Sequence, residues 1–148
     1  TVDRAGVVRR RPPADFAVGY RSVRGPAGEW FLAAEFRCTP AAAAAEQQRI
    51  RDLLAKRADS QPTGLPSGGS TFRNPPGDYA ARLIEAAGLK GYRIGGAEVS
   101  PKHANFVINA AAATAADIEA LIEHMQATVA ERFGVRLVCE VRIVGEAA

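Results

Sequence analysis

The segment "TAADIEALIEHMQATVAERFG", residues 114–134, limits the folds open to this chain more than any other stretch. Ile118, Leu121, Ile122, Met125 and Val129 recur at helical spacing and form one apolar stripe. Thr114 is placed to cap the helix, Asp117 stands three residues on in a capping-box position, and Gly134 follows the last turn. A helix marked in this way has to bury its stripe against a sheet or another helix, so the rest of the chain must supply that surface.

Several segments read as strands. "FAVGYRSV" alternates, with Phe16, Val18 and Tyr20 on one side and Arg21 facing away from them. "EWFLAAEFRC" is nearly apolar and reads as a strand buried on both faces. "NFVIN" reads as a buried strand. The final element, "VRLVCEVRIVG", sends Val135, Leu137, Cys139, Val141 and Ile143 one way and Arg136, Val138, Glu140, Arg142 and Val144 the other. Between these lie two further helices. One is capped by Thr39 with Pro40 at its first position and has Ile50, Leu53 and Leu54 as its inward stripe; the other starts near Tyr79 and ends at Gly88. Residues 58–69 form an ordered loop rich in Ser, Gly and Pro, and the glycines from 88 to 96 break the chain into loop and short strand. The order strand, strand, helix, loop, helix, strand, helix, strand gives an α+β fold, with helices packed on a mixed or antiparallel sheet.

With 148 residues, 47% of them hydrophobic, the chain can bury a real core and fits one domain or one and a half. Its net charge of +3 is spread along the chain, and "VVRRRPP" is the one basic cluster, so no nucleic-acid partner is expected. No apolar run reaches the ~18 residues that a membrane span needs. Cys38 and Cys139 sit in apolar strand-like runs and imply neither a disulfide framework nor a metal site. The first residues read as strand, turn and strand without an initiator Met or a signal-peptide core, which leads to the expectation that the chain is part of something longer.

The chemistry concentrates in "GSTFRNP", residues 69–75. A hydroxyl at Ser70, beside glycines that let a ligand approach the main chain, can protonate a strongly basic carbanion or enolate in a dry, oriented site. The same residues also make an ordinary turn, with Ser70 capping it and Asn74 and Pro75 shaping it. Lys90 among glycines suits a diphosphate, although neither phosphate-loop pattern is present; tight loop packing explains the glycines equally well. His103 is either a ligand contact or a polar lead into a strand, and His124 is a surface residue. Glu140 on an apolar strand either pairs with Arg136 or Arg142, or faces a pocket and polarises a bound carboxylate together with Arg21. Spacing alone leaves these alternatives open.

Taken together, "FAVGYRS", "KRADSQP", "GSTFRNP", "LIEAAGLKGYRIGGAEVSPKHANFVIN" and "GVRLVCEVRIVGE" resemble, in that order, the C-terminal half of the UDP-N-acetylenolpyruvoylglucosamine reductases, the MurB flavoenzymes of bacterial peptidoglycan synthesis. The resemblance covers nearly the whole chain from about Phe16. It implies a cytoplasmic oxidoreductase in which NADPH reduces FAD and hydride then passes to the enolpyruvyl double bond of UDP-N-acetylglucosamine enolpyruvate, giving UDP-N-acetylmuramate. By the same resemblance Ser70 is the general acid, and Glu140 and Arg21 polarise the substrate carboxylate and stabilise the enolate. Asn74, Lys90, His103 and Arg142 match substrate contacts, with Lys90 at the diphosphate and Arg142 at the enolpyruvyl end, and Arg57 resembles an arginine near the flavin.

The spacing between "GYRS" and "EWFLAAEF", and the short "NPPGDYAARL", resemble the shorter, second subclass. The family's glycine-rich FAD-binding segments precede these motifs and are absent here. Residues 1–39 are therefore expected to be the end of a flavin domain and residues 40–148 a substrate-binding domain, a chain that binds FAD poorly and does not turn over without its missing half. A stand-alone nucleotide-sugar binding module is the alternative, but joint retention of Ser70, Glu140 and Arg21 favours the enzyme lineage, since a mere binder has no use for a proton donor.

Overall fold

A computed structural model describes residues 1–145, and these fall into two units divided between Ala42 and Ala43. The first unit is made of short strands: β1 (Val2–Asp3), β2 (Ala17–Gly19), β3 (Ser22–Arg24) and β4 (Glu29–Trp30), paired antiparallel as β1 with β4 and β2 with β3. The expected strand through "FAVGYRSV" is instead a tight hairpin. Tyr20 and Arg21 make its turn, with Arg21 at φ 52°, so the alternation stops there. Arg21 does not face away from the aromatic side: its guanidinium carbon lies 6.0 Å from the Tyr20 ring centroid.

The apolar run "EWFLAAEFRC" is also corrected. Only Glu29–Trp30 is strand, while Phe31, Leu32 and Phe36 are exposed and so is Cys38. Hydrophobicity favours burial, but a strand also needs a paired edge, and β1 offers only two residues of it. The basic cluster is neutralised locally, because Arg9 pairs with Asp3 (2.6 Å) and Glu29 (3.7 Å), Arg10 with Glu35, and Arg11 with Glu29 and Asp15. Hydrogen bonds from Arg11 and from the Thr1 hydroxyl bring the Glu29 carboxyl down to about 2.

The second unit contains α1 (Ala43–Ser60), β5 (Ser67–Ser70), α2 (Ala80–Ala86), β6 (Arg93–Ile94), β7 (Ala97–Val99), β8 (Phe106–Asn109) and α3 (Ala115–Phe133). Its four-stranded antiparallel sheet runs β5-β8-β7-β6. α3 forms as the sequence demands. The Thr114 hydroxyl accepts from Asp117 N–H (3.1 Å), the Asp117 carboxylate accepts from Thr114 N–H (2.9 Å), and Gly134 takes the left-handed cap at φ 66°. Leu121, Ile122, Met125 and Val129 are buried with Ala97, Val99 and Val107 of the sheet and with Leu83 and Ile84 of α2, which together make the core. Asp117 also accepts from Gly96 N–H (3.3 Å), tying the start of α3 to the β6–β7 turn.

Three expectations change in this unit. α1 begins at Ala43, beyond Thr39 and Pro40, and buries none of its residues; Ile50, Leu53 and Leu54 have helical spacing but no cover. The loop expected over residues 58–69 is shortened from both ends, since α1 runs to Ser60 and β5 takes Ser67–Ser70 by pairing with β8. The C-terminal alternation holds for burial at Val135, Leu137, Cys139 and Val141, but Ile143 is exposed and the segment forms only an isolated bridge, Phe72 with Cys139. Among the described residues no helix is long and apolar enough to cross a membrane.

Candidate active site

Ser70 is the last residue of β5, paired with Phe106 of β8, and is partly buried. It therefore ends a strand instead of capping a turn. Just before it, Gly69 has φ 82°, and a Cβ there would meet nothing within 4 Å, so the main chain beside Ser70 faces open space. Just after it the chain bends. Thr71 N–H donates to Asn105 C=O (2.8 Å), while Thr71 C=O accepts from Glu140 N–H (2.8 Å) and Val141 N–H (3.4 Å). Arg73 N–H then donates to Val138 C=O (2.9 Å), completing the ladder that lays the C-terminal segment along this edge. A Cβ on Gly68 would stand 3.4 Å from the Val141 side chain, ordinary van der Waals contact, so the two segments pass close together here.

The result is that Ser70 and Glu140, far apart in sequence, stand on adjoining backbone segments, both partly buried. Cys139 beside Glu140 points to Phe72 and α3, where burial pushes its thiol up and away from reactivity. A cleft of about 580 Å³ reaches Gly69 and is lined by Arg57, Ser67 and Phe106 among others, so Arg57 at the end of α1 shares a cavity with the residue preceding Ser70. A second cleft, of about 480 Å³, is lined by Glu98, Ser100, Lys102 and Ile108, and Gln61, Pro62, Thr63 and Leu65 contribute to both.

The remaining candidates are more dispersed. The Asn74 side chain accepts from Ala80 N–H (3.1 Å) and so helps to start α2. Lys90 pairs with Glu85 at 2.8 Å, and the N–H groups of neighbouring Gly88 and Gly91 donate to Glu85 and Val99, so the glycines shape turns and the cation is what remains for an anion. The Lys90 charge is felt at His103, whose imidazole is held below its usual value chiefly by burial. His103 accepts from Asn105 N–H through Nδ1 (3.3 Å) and meets the Phe106 ring edge-on. Arg142, two residues past Glu140, is exposed. Arg21 belongs to the first unit. His124 is not a plain surface residue: it is half-buried and stacks on Tyr92 with centroids 4.4 Å apart. Among the described residues no group of His, Cys, Asp and Glu could hold a metal ion.

Glu98 and Asn105 are among the buried polar residues that escaped the sequence reading. Glu98 faces the second cleft from β7 and pairs with Arg93. Asn105, 4% exposed, uses both ends of its side-chain amide on the main chain of Phe72. An amide immediately ahead of an apolar strand was the only available sign of it.

Residues 61–144, which hold this geometry, match the family model for the C-terminal domain of UDP-N-acetylenolpyruvoylglucosamine reductase. The chain belongs to that reductase family. Curated relatives with that name include one from Alkalilimnicola ehrlichii, 65% identical over 99% of this chain and 49% of its own length. Another is from Methylococcus capsulatus, 58% identical over 99% of this chain and 48% of its own length. The crystal structure of the reductase (MurB) from Thermus caldophilus superposes with a TM-score of 0.74 at 30% identity, covering 93% of this chain and 48% of that one. The α+β architecture is thus the reductase family's own. This chain spans about half the length of the curated reductases it matches.

Proposed function

We propose that this chain is the substrate-handling half of a cytoplasmic, FAD-dependent reductase that converts UDP-N-acetylglucosamine enolpyruvate to UDP-N-acetylmuramate with NADPH as reductant. The observation that carries the reading is the bond from Glu140 N–H to Thr71 C=O (2.8 Å), which lays the segment bearing Glu140 against the segment bearing Ser70.

The enolpyruvyl double bond accepts hydride only where the charge that moves onto its carboxylate is stabilised. Glu140 and Arg21 take that role. Ser70 then delivers its proton to the adjacent enolate carbon, and partial burial of both Ser70 and Glu140 supports this by limiting competition from water. Asn74, Lys90, His103 and Arg142 hold the nucleotide sugar, with Lys90 at the diphosphate and Arg142 at the enolpyruvyl end.

The residues present suit a flavin at one edge of the site. The open space beside Gly69 allows a flat ring to lie against the chain ahead of Ser70, and Arg57 lines the same cleft. Bound FAD supplies the hydride. The rest of its site, and the partner half of the enzyme, belong to the remaining length found in the relatives.

The complete enzyme tests the reading. Under anaerobic conditions it should consume NADPH beyond one equivalent per flavin only when the enolpyruvyl sugar is present, with UDP-N-acetylmuramate appearing in equal amount by NMR. A flavin-loaded enzyme that leaves the enolpyruvyl group unchanged would refute it.

A further inference from the structure

We propose that Asn105 is a positioning residue for this site: it holds the bend at Thr71 that sets Ser70 beside Glu140. The roles of Ser70 and Glu140 rest on the function proposed above.

In a regular strand the N–H and C=O of one residue point to the same side, where one neighbouring strand receives both. At Thr71 they part, with N–H going to Asn105 C=O (2.8 Å) and C=O taking Glu140 N–H (2.8 Å). The register between β5 and β8 shifts between Ser67 and Ser70, immediately before this bend. Asn105 then continues the ladder with its side chain. Its Oδ1 accepts from Phe72 N–H (3.0 Å) and its Nδ2 donates to Phe72 C=O (2.8 Å), as a peptide group of a neighbouring strand would.

One buried residue therefore makes three hydrogen bonds to the two residues that follow Ser70. An amide side chain offers, side by side in one plane, the acceptor and the donor that this pair of groups requires. A carboxylate would face Phe72 C=O with a second acceptor, and an apolar side chain would leave both main-chain groups without partners. Asn105 is held in turn by His103, whose Nδ1 accepts its N–H (3.3 Å), and burial favours the neutral imidazole that can accept it. Asn105 thus keeps the segments that carry Ser70 and Glu140 in register, and displacement of reacting groups by ~1 Å can change rates by about 100-fold.

The test uses Asn105→Ala and Asn105→Asp in the complete holoenzyme, with Leu121→Ala as a control that weakens the core from α3. All three should reduce flavin with NADPH within about twofold of wild type. Reoxidation by the enolpyruvyl sugar should slow about 10- to 100-fold in Asn105→Ala, and less in Asn105→Asp, which keeps one of the two side-chain bonds. The solvent deuterium isotope effect on that step should rise in both, as proton delivery from Ser70 becomes limiting. Leu121→Ala should lower the melting temperature and leave reoxidation and its isotope effect unchanged. Wild-type reoxidation in Asn105→Ala, or equal slowing by Leu121→Ala, would overturn the inference. If Asn105→Ala does not fold, a wild-type rate and isotope effect in Asn105→Asp would overturn it alone. A Ser70→Ala enzyme that reoxidises normally would remove the proposed function and this inference together, whereas slow Ser70→Ala beside normal Asn105→Ala removes the inference only.

Discussion

Glu140 donates its main-chain N–H to the carbonyl of Thr71 at 2.8 Å, and Thr71 directly follows Ser70. Because this link is made by the backbone, the Glu140 side chain can be changed without undoing it. Glu140→Gln should leave the melting temperature within about 2 °C of wild type, as expected for a change that opens no cavity. The same substitution should slow substrate-dependent flavin reoxidation by about 100- to 1,000-fold, the range for losing one preorganised electrostatic group. Stopped-flow absorbance and calorimetry on the same sample check both halves.

The β6–β7 turn is packed too closely for a side chain. A Cβ on Gly96 would stand 2.4 Å from the Ala111 carbonyl, and one on Gly95 2.3 Å from the Asp117 carboxyl group. Since the obstacle at Gly96 is backbone, Gly96→Ala should destabilise by about 1–3 kcal/mol. Gly64→Ala, with nothing within 4 Å of its Cβ, should change stability by less than about 0.5 kcal/mol. Thermal melts of the two variants give the comparison.

The start of α3 depends on a reciprocal pair of bonds between Thr114 and Asp117. Thr114→Ala should lower stability by about 1 kcal/mol, the usual worth of such a cap. Thr114→Ser, which keeps the hydroxyl, should restore most of the loss in denaturant titrations.

In the first unit the pH dependence has a definite sign. The Glu29 carboxyl sits at about 2 in the folded chain, below its ordinary value of 4.5, chiefly because Arg11 hydrogen-bonds it. A carboxylate with a depressed folded value stabilises fully above its unfolded value and loses that contribution as pH falls toward the folded one. Protection factors of the amides in the β1–β4 pair, corrected for the intrinsic pH dependence of exchange, should therefore fall between about pH 4.5 and 2. Glu29→Gln should abolish that fall, and an unchanged pH dependence in the variant would place its origin elsewhere.

How much was legible follows from these particulars. α3 was readable because its stripe, its cap and its terminal glycine agree locally, and the sheet only had to receive it. The "FAVGYRSV" hairpin was hidden because its turn carries Tyr20 and Arg21 in place of glycine or proline, and a left-handed arginine leaves no compositional mark. α1 shows the reverse case, where correct spacing of Ile50, Leu53 and Leu54 meets no covering surface. At the C-terminus the in-and-out pattern holds from Val135 to Val141 and fails at Ile143, and among the described residues the segment pairs only over a short stretch around the Phe72–Cys139 bridge. That Ser70 and Glu140 stand on adjoining segments is a long-range relation that spacing cannot express, so their joint assignment came from family resemblance. Asn105 went unseen because its function is to replace a strand's peptide with a side chain.

The central claim concerns proton delivery by Ser70, and single-turnover kinetics of Ser70→Ala in the complete enzyme test it most directly. Reduction of the flavin by NADPH should keep its wild-type rate, while reoxidation by UDP-N-acetylglucosamine enolpyruvate should slow by about 100- to 10,000-fold, the range for losing a general acid. Equal slowing of both half-reactions, or reoxidation at the wild-type rate, would contradict the account.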